Sequence, residues 1–129
     1  MNVSALEAGF IHLPSQIYVM GASPHEVFKC PSLAFSLRHS KSNAHLVFDL
    51  GLRKDVDSYP PKLRIFLEEL PMAVDIPQDV AESLEKGGIP PADVETIIVS
   101  HLHFDQYVSF LHSHLPSRDL CFLMGLQRW

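Results

Sequence analysis

Hydrophobic and polar residues change rhythm partway along this chain. Residues 3–13 mix apolar and small side chains up to Pro14 and read as strand-like, and residues 16–20 form a short β-prone run closed by Gly21. Residues 32–38 alternate polar and apolar, the period of a strand with one buried face. The polar cluster Ser40-Lys41-Ser42-Asn43 then leads into a second run at 45–50 that Gly51 ends, so the pair predicts a β-hairpin.

Beyond Gly51 the period lengthens. Residues 52–61 form a charged, proline-ended connection. Residues 61–70 predict a helix with Leu63, Phe66, Leu67 and Leu70 on one face and Pro61 in its first turn. A short strand is expected at 73–76. A second helix follows at 77–86, with Val80, Ala81 and Leu84 as its apolar face and Gly87-Gly88 as its stop. Pro90-Pro91-Ala92-Asp93 reads as a turn or short helical step, and residues 94–99 as a largely apolar strand of the kind buried on both faces. Strands first, then helix and strand in alternation, predict an α/β layered sheet.

At 129 residues the chain is sized for one small domain. A formal charge of -5, with ten scattered basic residues, argues against nucleic acid as a partner. Cys30 and Cys121 make no disulfide framework and are expected to be buried free thiols. No apolar run approaches the ~20 residues of a membrane helix. Residues 1–13 carry Glu7 and neither Lys nor Arg, unlike a signal peptide. The expectation is a cytoplasmic protein with no membrane partner.

Candidate chemistry gathers where the 94–99 strand ends. Ser100-His101-Leu102-His103-Phe104-Asp105 sets two imidazoles and a carboxylate at alternate positions just past a buried strand. In layered α/β folds, sites gather outside strand ends, where side chains converge. On an extended or looping backbone His101 and His103 can point the same way and share one ion. Asp105 continues the step and could hold a second ion or orient water. Imidazole with carboxylate suits zinc, iron and manganese. The alternative is a polar strand-to-helix turn whose histidines cap the next helix.

These six residues resemble the His-x-His-x-Asp-His signature of the metallo-β-lactamase superfamily. His45-Leu46-Val47-Phe48-Asp49-Leu50-Gly51 resembles that family's second hairpin strand and its Asp-Leu-Gly turn, and Gly88-Ile89 with Asp93-Val94-Glu95 resembles its lead-in. The tone is closest to lactonase-like hydrolases, including fungal ones. The resemblance implies the amino-terminal half of an αββα sandwich over residues 1–109, followed by a divergent tail at 110–129. It implies His101 and His103 as ligands of a first metal, and Asp105 as a ligand of a second metal and the catalytic partner of the attacking water. One or two zinc ions would be the cofactor. The substrate would be a small molecule with a lactone, ester, thioester or amide carbonyl open to metal-bound hydroxide, with a role in secondary metabolism as an analogy of fold. Asp49 would support the site without ligating; a turn carboxylate bonding nearby backbone is the alternative.

The chain also departs from that pattern. Gln106 stands where the signature has a histidine, and Tyr107-Val108-Ser109 replace small residues. The family's remaining ligands come from a second half, and this chain ends at Trp129. His112 and His114 are the nearby substitutes, weaker candidates than solvent-facing histidines, and His12, His25, His39 and His45 are weaker still. Residues 111–129 show no clean period, although 120–126 are apolar. The expectation is therefore a truncated domain with impaired activity and an exposed inner sheet face that favours self-association. The alternative is a non-catalytic truncated paralogue or a binding partner of a full-length relative. A mononuclear iron oxygenase ranks last.

Overall fold

Alternation and turn chemistry build one mixed sheet. The computed structural model describes residues 1–69, 72–104 and 119–122. Among the described residues six strands lie side by side in the order β4 (Ala73–Asp75), β1 (Asn2–Pro14), β2 (Val27–Arg38), β3 (His45–Phe48), β5 (Val94–Val99) and β6 (Asp119–Phe122). β1 (Asn2–Pro14) pairs antiparallel with β2 (Val27–Arg38), and β2 with β3 (His45–Phe48), which is the expected hairpin. Its turn is closed by His39, which exchanges backbone bonds of 2.9 Å with Asn43 and Ala44.

The chain then makes the long crossover that parallel pairing requires. It runs through α1 (Pro61–Glu69), β4 (Ala73–Asp75) and α2 (Val80–Lys86) before β5 (Val94–Val99) joins β3 in parallel. β6 (Asp119–Phe122) extends the sheet in parallel beyond β5, with Ile97 opposite Leu120. The tail's lack of period gives no hint of this strand.

Register assigns residues to faces. Ser4, Ser36, Val47 and Ile97 are aligned across four strands, and Ala34 shares their side. Helix α2 covers this face: Val80 and Leu84 join Ala8, Ala34, Val47, Leu50, Val94, Ile97 and Val99 in the core. The helix starts where it does because Asp79 caps it. The Asp79 carboxylate accepts from the Glu82 N–H (3.0 Å), and the Glu82 carboxylate accepts from the Asp79 N–H (3.2 Å). Glu82 also takes the Lys54 ammonium, whose hydrogen bond, ahead of the Asp79 N–H, holds the Glu82 carboxyl below the usual carboxylate range. The Glu7 N–H donates to Ser83 Oγ at 3.0 Å, tying α2 to β1 beside the register shift between Glu7 and Phe10.

The opposite face carries Val3, Leu33, Phe35, Leu37, Leu46, Phe48 and Ile98. Val3 is 61% and Leu33 56% exposed, and the other five are half-buried. Helix α1 keeps no residue fully buried, so its predicted apolar stripe is only half covered at Leu63 and Leu67. Leu70 lies outside the described residues.

Two expectations are corrected. Residues 16–20 are not a strand: Ser15–Ile17 form a 3-10 turn, because the Ser15 carbonyl accepts from the N–H groups of Tyr18 (3.0 Å) and Val19 (2.8 Å). Ile17, Tyr18, Val19 and Met20 are left exposed. The run at 45–50 stops as a strand at Phe48, because Asp49 turns into left-handed backbone at φ 59°. Among the described residues no helix is long and apolar enough to cross a membrane.

Candidate metal centre

Two strand ends define the site. β5 is anchored by Val94, Ile97 and Val99, all buried, so its carboxyl end is held firmly. Beside it, the Asp49 N–H donates to the Ile98 carbonyl at 2.9 Å, carrying the β3–β5 ladder one residue past β3. The chain then reverses through Leu50 and Gly51. Gly51 has φ 62°, and a Cβ there would fall 2.2 Å from Ala8 Cβ, so only glycine lets the turn press against β1.

This turn aims the Asp49 side chain at the exit of β5. Asp49 is 6% exposed, and its carboxylate accepts from the Ser100 N–H (2.8 Å) and from Ser100 Oγ (2.7 Å). Ser100 Oγ also lies 2.8 Å from His101 Nδ1. One buried carboxylate thus grips the residue that precedes the first histidine. The Asp49 carboxylate therefore bonds to Ser100 at the neighbouring strand end rather than to the backbone of its own turn.

His101 and His103 come together as their spacing predicts. Their ring centroids are 4.4 Å apart with an interplanar angle of 71°, and both residues are exposed. Imidazoles this close can share one ion, and neutral imidazole nitrogen suits zinc and its first-row neighbours. Asp105, the third predicted ligand and catalytic residue, lies outside the described residues, as do Gln106, His112 and His114. Among the described residues no group of three His, Cys, Asp or Glu side chains gathers around one point.

His39 and His45 lie at the opposite end of the sheet, beside the Arg38–His45 pairing. His39 Nδ1 accepts from the Ser42 N–H at 3.2 Å, inside the hairpin turn. His45 heads β3 and lines a groove of about 410 Å³ with Ser36, Arg38 and Asp93, at the amino-terminal ends of β3 and β5. Ser100, which links Asp49 to His101, is a residue that ligand spacing alone overlooks. The available signal is a hydroxyl directly before the first histidine.

No protein-family model matches the chain. Curated proteins do match. Gamma-lactamase FDB1 of Fusarium pseudograminearum (strain CS3096) is 38% identical over 87 residues, 64% of this chain and 21% of that protein. Metallo-hydrolase mfmC of Annulohypoxylon moriforme is 29% identical over 110 residues, 81% of this chain and 29% of that protein. The chain spans less than a third of the length of either relative.

Solved structures agree on the fold. An N-acyl homoserine lactone hydrolase with the product N-hexanoyl-L-homoserine at its catalytic metal center aligns with a TM-score of 0.60 at 21% identity, over 81% of this chain and 42% of that one. An AiiA mutant from B. thuringiensis with N-decanoyl-L-homoserine at its active site aligns with a TM-score of 0.61 at 19% identity, over the same 81% and 42%. The mixed sheet with its two helices is the amino-terminal part of the fold of these lactonases.

Proposed function

The chain belongs to the metallo-β-lactamase superfamily, and on that premise we propose that it supplies the first metal ligands of a metal-dependent hydrolase. The observation that carries this reading is the imidazole pair His101 and His103, 4.4 Å apart at the end of a buried strand. Zinc is the proposed ion, with His101 and His103 as its ligands. A divalent ion there supplies the Lewis acidity that water needs to attack an unactivated carbonyl at neutral pH.

The protein's own residues do the positioning. Asp49 fixes Ser100, Ser100 meets His101, and the buried β5 keeps the whole loop exit in place. Asp105 is proposed to bind a second ion and to orient the attacking water. The proposed substrate is a small lactone or lactam, a class named for the gamma-lactamase and the homoserine lactone hydrolase that the chain resembles. Gln106 favours a second reading, in which the chain binds metal weakly or not at all and acts without catalysis.

Metal content and turnover decide between them. The purified chain is dialysed against zinc, its metal content measured, and hydrolysis of a γ-lactam and an N-acyl homoserine lactone followed by chromatography. Zinc uptake with turnover, both lost in His103→Ala, supports the hydrolase. Zinc uptake without turnover supports a binding role, and absence of zinc overturns the metal reading.

A further inference from the structure

The hydrogen bonds behind His101 can be counted proton by proton. A serine hydroxyl has one proton to donate and two lone pairs that accept. Ser100 Oγ lies 2.7 Å from Asp49 Oδ2 and 2.8 Å from His101 Nδ1. Each contact needs one proton between its two atoms. A carboxylate has none to give, so the Ser100 proton lies on the Asp49 side. The second contact must then take its proton from the imidazole. If Ser100 instead donated to Nδ1, two oxygens would face each other at 2.7 Å with no proton between them.

We propose that Ser100 is a positioning residue that, with its own proton committed to Asp49, holds His101 as the Nδ1–H tautomer and presents the Nε2 lone pair to the metal. Which ring nitrogen of a histidine is free to ligate is set by the bond that the other makes. Here that bond runs through a hydroxyl to a carboxylate on the neighbouring strand, rather than to the carboxylate directly. The backbone bond from the Ser100 N–H to Asp49 Oδ1 at 2.8 Å fixes the hydroxyl's origin, leaving the side chain little freedom to turn away.

The metal part of this inference rests on the function proposed above, whereas the tautomer does not. The test therefore reads the tautomer on the metal-free 129-residue chain. Long-range ¹H–¹⁵N correlation of ¹⁵N-histidine protein is recorded at a pH about two units above the ordinary imidazole pKa of about 6.5. His101 is assigned by its loss in His101→Gln. The expected result is a protonated, pyrrole-type Nδ1 and an unprotonated Nε2. Ser100→Ala is expected to move His101 toward the Nε2–H tautomer and to weaken zinc binding about 10-fold in a chelator competition. Ser100→Thr, which keeps the hydroxyl, is expected to restore both.

An Nε2–H tautomer in the unmodified chain overturns the proposal, as does a Ser100→Ala spectrum unchanged at His101. If Ser100→Ala does not fold, the unmodified chain and Ser100→Thr still decide, because both must show Nδ1–H. An Nδ1–H tautomer without zinc uptake would leave the relay standing and overturn the metal reading instead.

Discussion

The Asp49 carboxylate clasps Ser100 by both its backbone N–H (2.8 Å) and its hydroxyl (2.7 Å), across a gap of fifty-one positions in sequence. The clasp joins the ends of two neighbouring parallel strands on one side of the sheet. Its geometry depends on a single left-handed residue, Asp49 at φ 59°, a conformation that Asp and Asn tolerate better than other side chains. Strand pairing, an unusual backbone angle and a buried carboxylate together place His101.

Removing the carboxylate leaves two donors of Ser100 without their acceptor. Asp49→Ala is expected to cost about 2–3 kcal/mol of stability, since stranded buried donors are expensive. Asp49→Asn keeps one acceptor oxygen and tolerates the backbone angle, so about 1 kcal/mol is expected. Urea unfolding followed by circular dichroism measures both. A loss below about 0.5 kcal/mol in Asp49→Ala, the range of neutral surface changes, would mean the clasp holds nothing.

Two glycines with similar backbone angles make a controlled pair. Gly51→Ala combines a positive φ of 62° with a Cβ 2.2 Å from Ala8 Cβ. Left-handed backbone costs about 1–2 kcal/mol and overpacking about 1–3 more, so a loss of about 2–5 kcal/mol is expected. Gly88→Ala has φ 77° but meets nothing within 4 Å, so only the backbone cost of about 1–2 kcal/mol is expected. Equal losses in the two variants would show that the approach of Gly51 to Ala8 carries no energy.

Local rules made much of this legible. The Gly87-Gly88 stop and the hairpin turn at 40–43 follow from short-range chemistry, and the step of two between His101 and His103 brings their rings together. Long-range facts did not show. The alternation at 32–38 announces a strand without saying which side is buried. The answer is that Ser32, Ala34 and Ser36 are covered while Leu33 is open, and Ala34 shares a core with Val80 and Leu84 of α2. Residues 16–20 have β-prone composition, but their backbone bonds close locally at Ser15, an outcome that propensity alone does not weigh. Ser100 needed the position of Asp49 to acquire its role.

That division of the sheet into a covered and an open face has an energetic consequence. Leu84 is 0% exposed in the core beneath α2, and Leu84→Ala is expected to cost about 2–5 kcal/mol. Leu33 is 56% exposed, so Leu33→Thr is expected to change stability by no more than about 0.5 kcal/mol. Unfolding midpoints of the two variants at matched protein concentration check the contrast. A large loss for Leu33→Thr would place a second core on the face that carries Val3, Leu33 and Phe35.

The bond between Lys54 and Glu82 gives a pH dependence of known sign. Lys54 Nζ lies 2.8 Å from Glu82 Oε1, which holds the Glu82 carboxyl below its usual range in the folded chain. A carboxyl whose folded pKa is depressed stabilises the fold above its unfolded value, near 4, and loses that contribution as pH falls through the lower folded value. Lys54→Met removes the cation and leaves the mutual capping bonds of Asp79 and Glu82 in place. At pH 7 this variant is therefore expected to unfold at lower urea than the unmodified chain. As pH falls through the lowered folded value and Glu82 becomes protonated in both chains, the two midpoints are expected to converge. The pair is exposed, so the difference at pH 7 is also expected to shrink in 1 M salt. Midpoints that stay equally separated as pH falls from 7 through the lowered folded value would assign the effect of Lys54 to packing of its stem rather than to its charge.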